Sequence, residues 1–300
     1  MSQEIEGVAM RFIRILLLIL VIGIGSVAIR VAIKDISAKT VTIENKTLIN
    51  PMGVTTDGKY IYVTNTNQHN ISVFDQRGKY IKSFGKKGIS PGQFQFPVDV
   101  ALSSEGKLYI ADLKNYRIQV FSNEGEYEAY FPKEKEIKPV AITLDKNNNV
   151  VVSDILSHTI KIYKPNGVLI KEFGDYGEEE GRFQYANGVA VSNDGNIYVS
   201  DSQNMRIQIF NSNGEFLKSF NADFQMGQPK GISIYKNRLY VVDTLMQKIY
   251  MFDLEGNYIK SIGESGNNFE FPNDVFVLGE RVYVTNRTSN QVISIHREDE

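Results

Sequence analysis

One short phrase occurs six times in this chain, and every copy ends in Asp or Asn. The six ends are Asn65, Asp112, Asp154, Asp201, Asp243 and Asn286. Successive ends lie 47, 42, 47, 42 and 43 residues apart. A period of about 40 to 45 residues is typical of a four-stranded sheet unit that is repeated around a central axis. The spacing therefore predicts an all-β fold, a six-bladed β-propeller whose blades each have four strands.

Each copy divides into four strand segments. A Pro begins the inner segment in five copies, and Ala186 takes its place in the fourth. A polar hairpin turn, the repeated phrase, a third apolar segment, a Gly turn and an outer segment follow in that order. The repeated phrase is apolar on both faces, which is typical of sheets that stack face to face. The Tyr within the phrase is accordingly expected in the core and not in an aromatic binding cage.

The last copy lacks an outer segment. The chain ends at Glu300 soon after the third segment, while an unassigned strand-like stretch, Thr40 to Ile43, precedes the first copy. We expect residues 40–50 to supply the missing outer strand, because closure of the ring removes its open sheet edges. The predicted organisation is a propeller over residues 40–300, preceded by an N-terminal segment (1–33) and a short tether (34–39).

The N-terminal segment contains an uncharged apolar run over residues 15–29, between Arg14 and Arg30. The run is shorter than the roughly 20 residues that span a bilayer, but flanking Arg side chains can reach the interfaces. One apolar transmembrane helix is predicted, with residues 8–33 as the membrane anchor and the propeller outside the cytoplasm. The alternative is a cleaved signal peptide and a secreted domain, because Ser26-Val27-Ala28 offers small residues after the apolar run.

The composition excludes several kinds of functional site. The chain has no Cys, so disulfides, thiolate nucleophiles and most structural zinc sites are excluded. Its formal net charge of -2 gives no electrostatic reason to expect nucleic acid as a partner. His69 and His158 occupy the same position in copies one and three, and we expect both to be exposed loop residues on non-adjacent blades. Neither a metal site nor any cofactor is predicted.

The repeat resembles the NHL-repeat family. The resemblance rests on Pro-x-Gly-Val, Asp-Gly-x-Ile-Tyr-Val-x-Asp, x-x-Asn-x-Arg-Ile-x-x-Phe and a Gly followed by Phe-Gly. These motifs are clearest from Gly188 to Phe210 and from Val98 to Phe121. The resemblance covers residues 40–300 and implies a propeller fold. Similar repeats serve as protein-binding platforms, RNA-binding surfaces and occasional enzymes, so the resemblance does not choose a function.

The Asp and Asn ends are matched by the residue five positions later. Asp112, Asp201 and Asp243 are followed by Arg117, Arg206 and Lys248, whereas the neutral Asn70 and Gln291 follow Asn65 and Asn286. Asp154 with Thr159 is the exception. This pattern predicts ion pairs and hydrogen bonds that staple the second strand to the third within each blade. The six ends are therefore interpreted as structural residues.

The residues between the members of each pair differ from copy to copy, and they are the predicted binding surface. We expect a monomeric, non-catalytic platform that recognises a protein or a glycan, because exposed Tyr and Met among polar residues suit such contacts. The candidate binding residues are Gln68, His69, Asn115, Tyr116, His158, Met205, Met246, Gln247 and Arg287.

The alternative function is an enzyme that acts at the central channel, where the inner strands converge. Ala186-Asn187-Gly188-Val189 and Pro272-Asn273-Asp274-Val275 are similar to pieces of calcium-dependent lactonase propellers. That similarity implies a hard cation held by Asn and Asp oxygens, with Asp99, Asn187, Asn273 and Asp274 near the channel. The order of the two elements differs from that of the lactonases, and both phrases are ordinary variants of the repeat start. A zinc lyase is disfavoured by the positions of the His residues.

Overall fold

The computed structural model describes residues 40–132, 136–221, 226–263 and 269–297. Strands and short turns make up these ranges, together with two 3-10 turns at Thr66–Gln68 and Leu113–Asn115. Within them, no helix is both long and apolar enough to cross a membrane. The predicted membrane anchor (8–33) and tether (34–39) lie outside the described residues.

Six four-stranded antiparallel sheets make up the described fold, one for each copy of the repeat. Blades one to five each run from the inner strand to the outer strand in chain order, and blade six takes its outer strand from the start of the described chain. The strands of blade one are β2 (Pro51–Thr56), β3 (Tyr60–Asn65), β4 (Asn70–Asp75) and β5 (Tyr80–Phe84). Those of blade two are β6 (Pro97–Leu102), β7 (Lys107–Asp112), β8 (Arg117–Ser122) and β9 (Tyr127–Phe131). Those of blade three are β10 (Pro139–Leu144), β11 (Val150–Asp154), β12 (Thr159–Tyr163) and β13 (Leu169–Phe173).

The second half repeats this plan. Blade four contains β14 (Ala186–Val191), β15 (Ile197–Asp201), β16 (Arg206–Phe210) and β17 (Phe216–Phe220). Blade five contains β18 (Pro229–Tyr235), β19 (Arg238–Asp243), β20 (Lys248–Asp253) and β21 (Tyr258–Ile262). Blade six contains β22 (Pro272–Leu278), β23 (Arg281–Asn286), β24 (Gln291–His296) and the early strand β1 (Thr40–Glu44). The prediction of a six-bladed propeller with four-stranded blades is thus confirmed for the described residues.

The ring is closed by strand β1. It pairs antiparallel with β24, from Thr40 opposite Ile295 to Glu44 opposite Gln291. Ile43 is buried in the same apolar cluster as Val54 of blade one and Tyr283 of blade six. The strand covers only the first five residues of the 40–50 segment. Because β1 pairs with β24, the sheet of blade six combines strands from both ends of the described chain, and the edge of β24 is covered.

The apolar core lies between neighbouring blades. One cluster joins blades one and two through Ile71, Phe94 and Phe121, and comparable clusters occupy the other junctions. The Tyr of the repeated phrase is buried in this core, as expected; Tyr62 and Tyr240 have no exposed surface. The hairpin Gly residues contribute to close stacking. Gly214 has a φ of 76°, and a Cβ there would lie 2.5 Å from the ring of Phe173 in the preceding blade.

Candidate functional site

Six loops join the second and third strands of the blades and form one end of the propeller. Together with the inter-blade links 85–96 and 174–185 we refer to them as the loop face. The loops cover residues 66–69, 113–116, 155–158, 202–205, 244–247 and 287–290. Their last residue has a φ between 52° and 57° in every blade, the left-handed region that non-Gly residues seldom occupy. The six loops therefore share a backbone bend at this residue and differ in their side chains.

A buried polar network supports the loop of blade two. Asp112 is fully buried, and its carboxylate accepts hydrogen bonds from Arg117 Nε (3.2 Å), Asn115 Nδ2 (2.7 Å) and Gln119 Nε2 (3.0 Å). The backbone N–H of Gln95, in the link, donates a fourth (2.7 Å). Burial raises the pKa of Asp112 even against these donors. Asn115, predicted to bind a partner, has its amide engaged here and also donates to Gly88 O (3.0 Å). Its N–H donors thus support the loop, and its role in binding a partner stays a prediction.

Blade four repeats the network. Asp201 accepts from Arg206 Nε (2.9 Å), Asn204 Nδ2 (2.8 Å) and Gln208 Nε2 (3.0 Å), and burial again raises its pKa. Arg206 Nη2 also donates to the carbonyls of Glu179 (2.8 Å) and Arg182 (3.1 Å) in link 174–185. Each Arg therefore ties an inter-blade link to the end of a second strand. Asn204 and the two Gln were missed in the sequence, although their positions three and seven residues after the Asp repeat between these copies.

The same two Arg side chains hold two links of matching shape and opposite charge. Link 85–96 has a parallel bridge between Lys87 and Phe94, and link 174–185 has one between Tyr176 and Phe183. Arg117 Nη2 donates to Ser90 O and Gln93 O (both 2.9 Å), as Arg206 does in its own link. The charged residues, however, are Lys86 and Lys87 in the first link, against Asp175, Glu178, Glu179, Glu180 and Arg182 in the second.

In blade three a lysine, and not an arginine, forms the ion pair with the buried aspartate. Lys161 is 1% exposed, and its Nζ lies 2.8 Å from Asp154 Oδ2 and 2.8 Å from Glu172 Oε1. Ser157 and Thr159 accept further hydrogen bonds from the ammonium group. Burial alone would raise the pKa of Asp154, but hydrogen bonds from Lys161 and from backbone N–H groups lower it. Thr159 stands where other blades have a cation, and in blade three Lys161 supplies that cation two residues later.

The remaining blades use amides or backbone groups. Asn65 Nδ2 donates to Thr47 O (2.7 Å) while its Oδ1 accepts from the N–H of Ile49 (2.8 Å). Asp243 accepts from the N–H groups of Gly227 (2.6 Å), Gln228 (3.0 Å) and Met246 (3.1 Å). Lys248, its predicted partner, lies directly opposite Asp243 in the strand pairing. In blades one and five the buried residue at the end of the second strand thus forms hydrogen bonds with the segment that precedes the inner strand of the same blade.

The two loop His residues are half-buried, which corrects the expectation that they are exposed. His69 Nδ1 accepts a hydrogen bond from the N–H of Phe96 (3.2 Å), and the two rings pack edge to face. Burial, with help from Lys87 and Lys114, lowers the pKa of His69. His158 packs against Tyr176 and Tyr185 of the acidic link, with ring centroids 4.9 and 6.1 Å apart. Both His residues therefore lie at the junction of one blade with the next.

The other predicted binding residues are accessible, apart from half-buried Arg287. Gln68 and Gln247 are exposed, Tyr116 is 36% exposed, and Met205 and Met246 are 43% and 47% exposed. Arg287 Nε donates to Asn50 Oδ1 (3.1 Å). Sequence reasoning missed several exposed apolar residues of the loop face and its neighbouring links, since they lie outside the segment between the paired positions. They are Ile89, Tyr176, Tyr185 and Phe271. Exposed Leu245 was also missed, although it lies between the paired positions of blade five.

A cavity of about 220 Å³ lies on the propeller axis, lined by the inner strands of all six blades. Asp99 and Asp274 line it, and each accepts from the N–H of the following blade: Asp99 Oδ2 from Ile142 (2.8 Å), Asp274 Oδ2 from Val54 (3.0 Å). Burial raises the pKa of Asp99 to about 7. Burial, together with the charge of Asp99, raises the pKa of Asp274 well above its usual range.

The two Asn residues of the channel also have partners. Asn187 Nδ2 donates to Ser202 Oγ (2.8 Å) and Asn273 Nδ2 to Met52 O (3.0 Å). In the part of the chain that the structure describes, no group of three or more His, Cys, Asp or Glu side chains is placed to share a metal ion. The channel therefore brings together the four residues singled out for the enzyme alternative, but their geometry by itself does not define a metal centre.

Two family models match the chain. An NHL repeat matches residues 183–210, and a model described as a 6-bladed beta-propeller matches residues 41–164 and 219–294. The chain belongs to the 6-bladed beta-propeller family. The match agrees with the six described blades and with the resemblance of the repeats to NHL sequences.

Curated relatives of this 6-bladed beta-propeller match less of it. Protein brain tumor of Drosophila melanogaster is 29% identical over 39% of this chain and 12% of its own length. The E3 ubiquitin-protein ligase TRIM32 of Homo sapiens is 28% identical over 31% of this chain and 16% of its own. The E3 ubiquitin-protein ligase NHLRC1 of Rattus norvegicus is 26% identical over 41% and 32%. The chain thus spans about a third or less of these relatives, and their activities do not transfer with the match.

Solved structures share the fold. Virginiamycin B lyase from Staphylococcus aureus superposes with a TM-score of 0.64 at 15% identity, over 86% of this chain and 98% of the lyase. A chain of a nidogen/laminin complex superposes with a TM-score of 0.60 at 16% identity, over 73% of this chain and 82% of its own. One of these propellers belongs to an enzyme and the other to a protein complex. At such low identity the likeness shows the fold alone.

Proposed function

We propose that this propeller is a non-catalytic binding platform whose loop face recognises a protein or a glycan. In the same proposal the apolar segment 8–33 anchors the chain in a membrane and the propeller lies outside the cytoplasm. The observation that carries the binding role is the set of exposed apolar side chains on the loop face, with Tyr116, Met205 and Met246 among them. Tyr and Met are enriched where proteins meet partners, because each presents a large contact area.

The support beneath these side chains favours the same role. The buried networks at Asp112 and Asp201 hold loop and link in one arrangement through charged hydrogen bonds. A pre-organised surface loses little conformational entropy on association, so more of its contact energy is available as affinity. A structural scaffold with variable exposed side chains is what a recognition surface requires.

Capture from native membranes tests the proposal. The full chain is cross-linked and recovered as wild type and as a Tyr116→Ala/Met205→Ala/Met246→Ala variant. Leu217→Ala and Ile81→Ala serve as matched controls, because both residues are exposed apolar positions on outer strands and not on the loop face. We expect the triple variant to fold normally and to lose its partner, while the controls retain theirs. Protease or glycosidase treatment of the recovered partner then separates a protein from a glycan.

Equal recovery by the triple variant and the wild type would remove the loop face as the binding site. Recovery lost equally in the control variants would show that the capture depends on apolar surface in general.

An enzyme at the central channel is the second candidate. The observation in its favour is the pair of buried carboxyl groups, Asp99 and Asp274, whose pKa values are raised beside a cavity on the axis. Calorimetry of the full chain with calcium tests its calcium-dependent form. Micromolar binding that Asp274→Asn abolishes would favour the enzyme, whereas a calcium titration without heat would remove that form of it.

A further inference from the structure

Lys230 departs from the repeat at the second position of an inner strand. The other five blades place uncharged residues there: Met52, Val98, Val140, Asn187 and Asn273. All five of these line the axial cavity, as does Gly231, which follows Lys230. The strand therefore requires no charge at this position, and Lys230 brings one to the rim of the channel.

Arg287 departs from the repeat at the position directly after the end of the second strand. Thr66, Leu113, Ile155, Ser202 and Thr244 take this position in the other blades. Where the residue is Thr or Ser, its hydroxyl donates to the carbonyl of the Pro that begins the next blade: Pro97, Pro229 and Pro272. A short neutral side chain is thus sufficient for the blade junction. The blade junction therefore does not require a guanidinium group at position 287.

The two basic residues lie on either side of blade six. Lys230 is at its junction with blade five, and Arg287, whose Nε donates to Asn50 Oδ1 (3.1 Å), is at its junction with blade one. The N–H of Arg287 donates to Phe271 O (3.4 Å), two residues before Asn273. Gly231 packs so closely on blade six that a Cβ there would lie 2.8 Å from Asn273 O. Burial, together with the charge of nearby Arg287, lowers the pKa of Lys230 to about 8. Two like charges held together in a partly buried place raise the energy of the free protein.

Neither charge is balanced by the described part of the protein. Within residues 40–132, 136–221, 226–263 and 269–297, no carboxylate forms an ion pair with Lys230 or with Arg287. By contrast, Arg117, Arg206 and Lys161 are all paired with buried aspartates. The amides of Asn187 and Asn273 belong to the same position of the repeat, and each Nδ2 has one hydrogen-bond partner among the described residues for its two N–H donors.

We propose that Lys230 and Arg287 bind an anionic group, a carboxylate or a phosphate, of a small molecule at the loop-face mouth of the central channel. Arg offers a planar set of donors that matches either anion, and Lys adds a compact positive charge. The amides of Asn187 and Asn273 supply further donors on the inner side. This site goes beyond the recognition of a protein or glycan by the loop face and does not depend on it.

Calorimetry of the full chain with inorganic phosphate and with citrate, at ionic strength matched by chloride, tests the proposal. The variants are Lys230→Met, which copies Met52 of blade one, and Arg287→Thr, which copies Thr244 of blade five. Lys146→Met, an exposed lysine in a hairpin turn, is the control. We expect saturable binding of at least one anion to the wild type and the control. Each channel variant should weaken that binding at least tenfold, and the preferred anion separates a phosphate ligand from a carboxylate.

Equal affinity in the wild type and in Lys230→Met, or saturation by neither anion, would overturn the proposal. A structural role for Lys230 makes a different prediction, since its removal would then lower the thermal midpoint; relief of like-charge repulsion should raise the midpoint or leave it unchanged. A readout that needs no variant is the pKa of Lys230 itself, followed by NMR of isotopically labelled lysine. The bound anion should raise that pKa, and an unchanged value at saturating phosphate and citrate would count equally against the site.

Discussion

Buried aspartates occur in two regions of this propeller, under the loop face and in the central channel. Under the loop face, Asp112, Asp154 and Asp201 each accept hydrogen bonds from a cationic side chain and from neighbouring amides or backbone groups. In the channel, the hydrogen bonds found for the carboxylates of Asp99 and Asp274 come from backbone N–H groups, with no cation among the donors. The first set occupies one fixed position of the repeat, whereas Asp99 and Asp274 stand at another position that holds Asp in only two of the six copies.

The comparison distinguishes charged groups that the fold itself pairs from charged groups that remain available to a ligand. A buried carboxylate is tolerated when donors of the fold surround it, and it then stiffens the elements that supply them. A carboxylate or ammonium left without a charged partner raises the energy of the folded state, and it persists only where the surroundings compensate for it. Asp99, Asp274, Lys230 and Arg287 belong to this second kind, and all four lie around the channel.

Lys161→Met should give the largest loss. It leaves Asp154 and Glu172 without the ammonium that lies 2.8 Å from each, and removal of one member of a buried pair costs about 3 to 5 kcal/mol. The free energy of unfolding in urea measures it. Lys171→Met, on the neighbouring strand and bonded to an exposed amide, is the control and should change stability by less than about 0.5 kcal/mol. A loss as small as that of the control would show that Asp154 does not need its cation.

Asn65→Asp should cost somewhat less, about 2 kcal/mol, because it puts a carboxylate where an amide donates to Thr47 O. The structural role of the matched pairs also predicts a rescue. Asn70→Arg in the same chain recreates the Asp and Arg positions of blades two and four, and should restore most of the lost stability. The double variant is compared with each single variant by denaturant unfolding. If Arg at position 70 gives no recovery, the matching of amide with amide has another cause.

Arg206→Met should lower stability by about 2 kcal/mol, since it removes hydrogen bonds both to Asp201 and to two carbonyls of the link. A double-mutant cycle with Asp201→Asn should show a coupling on the order of 1 kcal/mol for this partly buried pair. Additive losses would mean that Arg206 acts on the link alone and not through the aspartate.

Asp99→Asn tests the channel and should give the smallest change at low pH, because an amide oxygen can accept the same backbone hydrogen bonds as a protonated carboxyl group. The pKa of Asp99 in the folded chain is about 7, above its usual value of 3.8. Its contribution to stability is therefore full below about pH 4 and is lost as pH rises through 7. The variant should lose less stability than the wild type between pH 5 and pH 8.

The opposite sign is expected for Asp154→Asn. The lowered pKa of Asp154 means that its carboxylate stabilises the fold above its unfolded pKa and ceases to do so as pH falls through the folded value. The difference between this variant and the wild type should thus shrink toward low pH. Unfolding curves at several pH values measure both, and parallel pH profiles for the two variants would remove the distinction between the regions.

Much of the fold could be predicted from the sequence because a propeller repeats a local pattern. The period, the turns and the Asp or Asn ends are all read within one copy, and the structure repeats them in each blade. Lys161 could not be assigned in this way, because a lone lysine in an apolar strand has no distinguishing neighbour in the sequence. It was identified only when the pairing of strands placed its ammonium against Asp154 and Glu172.

The candidate site was predicted less completely. Exposure of Tyr116, Met205 and Met246 follows from their place in short polar loops, and the structure agrees. The surroundings of Asn115 and of the two loop His residues could not be predicted in this way. Whether a loop side chain faces solvent or the next blade depends on the link that crosses it. His69 meets Phe96 and His158 meets Tyr185 across a blade junction, and each pair is 27 residues apart in the chain.

The sequence by itself determined that this chain builds six like blades and that five of the six Asp or Asn ends are matched by the residue five positions later. Each of those features depends on residues a few positions apart. Only the tertiary structure decided which unmatched residues meet. Asp274 bonds to the N–H of Val54, 220 residues away, because the ring closes and brings the first and last blades together. The repeat thus specifies the blades. The closure of the ring creates the channel and brings charged residues of different blades to it.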